Sequence, residues 1–269
     1  MPVYWFALSQ INNIDVCKAV MVFIILHFFI YPASNGYNSY MDKDKDSIGC
    51  IEKPLQPTKQ LYYATIFLDI AGLMAGLFVS YNFAILLFLY ILASKSYSYS
   101  GIRLKKFPLI SYLLAIVFQG GIVYLMVYNS CSLFQNNYLP LLPITASMLL
   151  VGSFYPLTQI YQHRQDALFH IKTMSIMLGY RGTFLLAFLM SFLTLLITAY
   201  YFASNLELDR FLILLICMFP AAIFLFGWYL KVRKDIHAAS YKNSLKMNWI
   251  AAIGSNMAFI IILIIKNKF

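Results

Sequence analysis

Charge is what this 269-residue chain has least of. Asp, Glu, Lys and Arg make up 11% of it, only 10 residues are acids, and 61% of the residues are hydrophobic. Soluble domains carry about 25% charged residues, so this chain cannot clothe a water-facing surface and reads as a polytopic membrane protein. Cysteine is scarce as well. Cys17, Cys50, Cys131 and Cys217 lie far apart with no CxxC pair, which excludes a disulfide framework and a zinc ribbon and leaves inert core or lipid-facing thiols. Linkers, low-complexity tracts and charge blocks are absent, so residues 1–269 read as a single membrane domain. A cleavable leader is absent too: asparagines and acids, not an A-x-A-like site, follow the first long apolar run.

What is present is apolar sequence in long runs. Stretches able to cross a bilayer lie at about 16–37, 60–79, 81–98, 108–129, 138–160, 182–202, 210–230 and 248–266. The expected fold is therefore an all-α transmembrane bundle of eight full helices. Residues 1–8, "MPVYWFAL", read as the stub of a ninth helix whose earlier turns precede Met1. Threading the spans puts loops 38–59, 95–107, 161–181 and 231–247 on one face, with sixteen of the 20 basic residues. The positive-inside rule makes that face cytoplasmic and the membrane a cell inner membrane. The formal net charge of +10 thus reports topology and not nucleic-acid binding.

Three polar constellations share the basic face. In "NSYMDKDKD", Asn38, Asp42 and Asp46 are spaced i, i+4, i+8. If the helix continues, each step falls about 40° off a full turn and rises about 6 Å, so the three side chains form one stripe. Oxygen ligands of this kind suit Mg²⁺, which is held by one or two carboxylates plus substrate phosphates; the alternative is a solvated, self-neutralising loop. In "LTQIYQHRQDALFHIKT", Gln159, Gln162 and Asp166 share a helical face with His163 beside it, and Lys172 follows as a point charge for a phosphate. With a single carboxylate this is the weaker metal site, and a polar helix end is its alternative. In "YSYSGIRLKKFP", Tyr97 precedes Arg103, Lys105 and Lys106, the ordinary sign of a membrane boundary. Together, carboxylates, divalent metal and cations on one face are what binding and ionising a diphosphate requires.

Inside the helices, Asp69 lies near mid-membrane, where an acid is by default functional; it either binds an acceptor or is satisfied by a neighbouring Ser, Tyr or Lys. His27 reads as a structural histidine. Gly120-Gly121 and Gly72-x-x-x-Gly76 read as close helix contacts.

These motifs carry a resemblance. "NSYMDKDKD" matches the NxxxDxxxD signature of the UbiA-type intramembrane prenyltransferases through Asn38, Asp42 and Asp46, and "KPL" at 53–55 is similar to the Arg-Pro-Leu that follows it. "YSYSGIRLK" resembles that family's Tyr…Lys loop, with Tyr97 and Lys105 as its ends. "QHRQDALFHIKTMSIMLG" resembles the second signature, with Asp166, Lys172, Thr173, Leu178 and Gly179 in place. Gln162 stands where that signature has Asp, and Phe169-His170 where it has glycine. The resemblance implies Mg²⁺ on Asn38, Asp42, Asp46 and Asp166, with Gln162 completing the shell. It also implies an isoprenyl diphosphate bound by Lys53, Tyr97, Arg103, Lys105 and Lys172, and transfer to a lipophilic, aromatic or quinone-precursor acceptor that Asp69 could contact. A terpene cyclase acting on the diphosphate alone, and a non-catalytic homologue or transporter, remain alternatives. On the transferase reading, Asp42→Ala or Asp46→Ala abolishes turnover in a protein that still folds, and EDTA does the same to the wild type in a diphosphate-release assay.

Overall fold

The computed structural model describes residues 2–43, 47, 51–134, 139–163, 166 and 172–266, and every extended element among them is helical. A short helix, α1 (Pro2–Gln10), is followed by α2 (Val16–Asp42), α3 (Lys59–Val79), α4 (Tyr81–Ser98), α5 (Pro108–Ser130), α6 (Leu141–Gln162), α7 (Met174–Ser204), α8 (Leu208–Lys234) and α9 (Tyr241–Lys266). Seven of these are long and apolar enough to cross a membrane. At roughly 1.5 Å per residue, the 21 residues of α3 span about 31 Å, the thickness of a hydrocarbon core.

The expected helices are present, but several run further toward the basic face than their apolar cores. α7 begins at Met174 and α9 at Tyr241, with Met174, Ser175, Ser244 and Met247 buried in the added turns. Side-chain caps fix three starts. Asp15 accepts the amide of Lys18 at 3.0 Å, Ser80 that of Phe83 at 3.1 Å, and Thr173 that of Ile176 at 3.3 Å, satisfying donors a helix start leaves open.

The expected N-terminal stub forms α1 and is the most deeply buried element. Phe6, Ala7 and Leu8 are at most 3% exposed. Phe6 stacks on Phe259 of α9 with ring centres 4.5 Å apart, and the Tyr4 hydroxyl donates to Ala19 O at 2.8 Å. A second core joins α6 to α9 through Leu157, Phe184, Trp228 and Met247. Large side chains such as Phe78, Ile216 and Phe219 point outward, as lipid-facing surface should.

Close backbone approach sets the helix spacing. A Cβ on Gly120 would stand 2.7 Å from Met148 Cα, and one on Gly72 2.8 Å from Ile30 Cδ1, so the small residues do permit near contact. Two spans change their winding: α2 is a π-helix over Ile25–Ile30 and α5 over Ala115–Ile122. His27 lies in the first of these, bonded to Phe23 O at 2.8 Å and stacked on the Phe23 ring, in a structural position. Cys17, Cys131 and Cys217 are free thiols.

The tightest approach gives a stability test. A Cβ on Gly254 would meet Cys217 O at 2.5 Å, so Gly254→Ala should force α8 and α9 apart and destabilise the bundle by about 1–3 kcal/mol, read as a lowered Tm in detergent.

Candidate active site

The site begins where α2 ends. Asn38 and Asp42 are one turn apart, as expected, and the Asn38 Oδ1 accepts the hydroxyl of Ser98, the last residue of α4, at 2.5 Å. The helix does not continue. Lys43 takes a left-handed conformation (φ 51°) and caps it, its amide bonded to Ser39 O. The stripe expected to run on to Asp46 therefore stops at Asp42, and Asp46 lies outside the described residues.

The loop after α4 delivers the cations. Arg103 is also left-handed (φ 48°), with its amide on Tyr99 O at 2.6 Å, an arrangement that costs a non-glycine residue free energy. It turns the chain into a 3₁₀ helix, Leu104–Lys106, that aims the buried Lys105 inward. The Lys105 ammonium donates to Asp42 Oδ1, and Arg103 Nη2 lies 3.7 Å from the same atom. One carboxylate held between two cations leaves a local charge of about +1 in a half-desolvated setting, which favours an incoming anion.

Across from this cluster, the Tyr97 hydroxyl bonds that of Tyr155 on α6 at 2.6 Å. Tyr155 also bonds Gln159, and the charge of Asp166 acts on both tyrosines while that of Asp42 acts on Tyr97. Both carboxylates therefore lie near enough to Tyr97 to act on it. Gln162 is half-buried in the short 3₁₀ turn ending α6. His163 bonds Ser175 Oγ at 2.6 Å, and burial pushes its imidazole down to about 4, so it is a neutral neighbour. Lys53 and Lys172 are exposed, and the structure does not bring them into the ion-pair cluster on Asp42. Gly179 (φ 68°) kinks α7 just beyond, a conformation open to glycine and strained for other residues.

Below Asn38 and Tyr97 a cavity of about 270 Å³ extends between α2, α4, α5 and α6. Ser34 and Ser94 meet across it at 2.5 Å, and the π-helical part of α5 turns Phe118 and Gln119 toward it. A second cavity, about 260 Å³, lies behind α6 among α7, α8 and α9; Phe154, Phe188 and Leu214 are among its walls. It holds no Asp, Glu, Lys, Arg or His among its described lining residues, and the Asp42 cluster lies one turn from Asn38 of the first cavity. Among the described residues, no three His, Cys, Asp or Glu side chains gather as a closed metal site. Two carboxylates and the Asn38 amide remain as oxygen donors.

Asp69 is placed elsewhere. It forms an ion pair with Lys95 of α4 at 2.6 Å, with the ammonium 4.0 Å from the centre of the Tyr37 ring. Other residues line the cavity. Lys95, read from sequence as a loop cation, thus lies inside a helix and is buried by its partner. Ser98 and Tyr155 also escaped the sequence reading. Tyr155 precedes Gln159 by one turn on the face that leads to Asp166, the signal that could have found it.

The model of the UbiA prenyltransferase family matches residues 1–251. The chain belongs to this family. The bundle is similar to solved structures at low sequence identity. A UbiA homologue from Archaeoglobus fulgidus bound to DMAPP and Mg²⁺ is 15% identical with a TM-score of 0.69, covering 97% of this chain and 93% of that one. A UbiA homologue from Aeropyrum pernix K1 is 14% identical with a TM-score of 0.69, covering 94% of each. A structure of digeranylgeranylglyceryl phosphate synthase is 18% identical with a TM-score of 0.64, covering 100% and 92%. No curated protein sequence matches.

The Asp69–Lys95 pair makes a separable prediction. Asp69→Asn should strand a buried ammonium and cost about 3–5 kcal/mol, whereas Asp69→Leu with Lys95→Met should recover most of it; thermal unfolding of the three proteins checks this.

Proposed function

We propose that this UbiA-family protein transfers an isoprenyl group from its diphosphate to a lipophilic acceptor inside the membrane, in an Mg²⁺-dependent reaction at the basic face. The observation that carries this is the Asp42 carboxylate gripped by Arg103 and Lys105, with Asp166 across the Tyr97–Tyr155 pair, at the mouth of a membrane cavity. We further assign the basic face to the cytoplasm and the protein to a cell inner membrane, on the charge asymmetry.

The donor set fits Mg²⁺. Asp42 and Asp166 are hard oxygen ligands that both act on one hydroxyl pair, Asn38 sits one turn along, and an open site completed by phosphate oxygens is this ion's usual arrangement. Asn38, Asp42 and Asp166 would hold it with Asp46 beside them and Gln162 as a neutral partner. Bound there, Mg²⁺ neutralises the diphosphate as a leaving group.

The chain's own groups do the rest. Arg103 and Lys105, which now pair with Asp42, would turn their donors to phosphate oxygens; the planar Arg103 fork can grip two at once. Lys53 and Lys172 stand exposed at the same face as a second set of cations. Tyr97 and Tyr155 hold a hydroxyl pair between the carboxylates and orient the diphosphate. As the C1–O bond lengthens, the faces of Tyr90 and Phe118 in the cavity wall favour the allylic cation, and the helices around it exclude bulk water. The similar Archaeoglobus fulgidus homologue was solved with DMAPP and with GPP, each with Mg²⁺, which supports the same substrate class here.

Losing one charged phosphate contact costs about 1.5–3 kcal/mol. Arg103→Ala should therefore raise KM for the prenyl diphosphate roughly 10- to 100-fold, measured by steady-state release of diphosphate; an unchanged KM would remove Arg103 from the substrate site.

A further inference from the structure

We propose that the acceptor is an uncharged hydroxy-aromatic compound, a phenol or hydroquinone bearing neither carboxylate nor phosphate, whose polar groups are read by Asn35 and Gln119. This rests on the prenyl-transfer reading above and narrows it.

The cavity walls carry the argument. They consist of amides, hydroxyls, aromatic rings and hydrocarbon, and none of the described lining residues is Lys, Arg or His. An anion carried into such a space loses its hydration without gaining a counter-charge, a large cost. Among the described residues, the cations on or beside the cavity helices at this end are already paired. Arg103 and Lys105 sit at the mouth on Asp42. Lys95 is on α4 between two wall residues, Ser94 and Tyr97, yet its ammonium turns away to Asp69 at 2.6 Å and to the Tyr37 ring. The cation that stands between cavity-wall residues is thus neutralised inside the protein.

Hydrogen-bonding capacity, by contrast, is left over. Ser34 and Ser94 use their hydroxyls on each other, and Ser98 uses its own on Asn38. Asn35 and Gln119 are exposed, line the cavity, and make no hydrogen bond to another described residue. Gln119 stands eleven residues into α5, roughly 16 Å below its start. An unused amide at that depth is costly in hydrocarbon unless a polar guest meets it. A carboxamide both donates and accepts, which suits a hydroxyl; the rings of Tyr90 and Phe118 beside it suit a flat aromatic body. In the transfer, a ring carbon of the acceptor bonds to C1 of the isoprenyl chain and the C1–O bond breaks. Its electron pair leaves on the diphosphate, and the displaced ring proton passes to a diphosphate oxygen or water.

The test uses the full chain in phosphatidylcholine nanodiscs with Mg²⁺ and farnesyl or geranylgeranyl diphosphate. 1,4-Naphthohydroquinone and 1,4-dihydroxy-2-naphthoic acid, a ring pair differing by one carboxylate, serve as acceptors. The neutral member should be preferred by about 100-fold in kcat/KM, by mass spectrometry of the prenylated product. Gln119→Leu should raise KM for the neutral acceptor about tenfold with KM for the diphosphate little changed, and Gln119→Arg should shift preference toward the acid. Equal or better use of the acid by the wild type would overturn the acceptor assignment and leave prenyl transfer standing; this comparison needs no variant. Hydrocarbon or prenyl alcohol formed at full rate without acceptor would overturn it as well. Failure to release diphosphate with any acceptor would overturn the prenyl-transfer reading, and the acceptor assignment with it.

Discussion

A hydrocarbon slab offers no water to a stranded polar group, and every other feature of this protein is arranged around that constraint. Backbone amides are closed within helices. Buried charge is tolerated in company: Asp69 with Lys95, and Asp42 with Arg103 and Lys105. Ionic chemistry is thereby driven to one end of the bundle, where helix ends, a left-handed loop and a 3₁₀ turn can bring oppositely charged groups together beside solvent. On the proposed function, the reacting bond would lie at that boundary, with charge above it and hydrocarbon below.

Departures from regular winding collect around that boundary. The π-helical stretch of α5 presents Phe118 and Gln119 to the cavity, and α6 tightens to 3₁₀ over Tyr155–Thr158, where Tyr155 and Thr158 form its wall. Arg103 and Lys43 are left-handed next to Asp42, and Gly179 kinks α7 beyond the second polar segment. Each departure has a local cost and is held in place by regular, well-packed helix on either side.

Much of this was legible in sequence because the membrane simplifies the code. Apolar length located the spans, although α7 and α9 begin seven or eight residues before their apolar runs. Asn38 and Asp42 could be placed on one stripe because i, i+4 spacing has one meaning in a helix. The rest was out of reach for physical reasons. Nothing local announces that Lys43 will adopt positive φ, so the stripe looked one ligand longer than the helix allows. Lys95 looked like a loop cation because its partner lies 26 positions earlier, on another helix. Tyr155 reads as one more interfacial aromatic until α4 packs against α6 and supplies Tyr97. The brevity of α1 likewise concealed that Phe6 would lie at the centre of the core.

The concentration of cations at one end has a consequence for biogenesis. Arg103 and Lys105 flank a helix end that the positive-inside rule would keep on the side of synthesis while the chain is threaded into the bilayer. Long before any diphosphate arrives, they help decide which way α4 and α5 point. On the proposed function, the same side chains would answer to two selections in sequence, first by the insertion machinery and later by the substrate. In a living cell, a protein lacking them is exposed to misorientation as well as to weak binding.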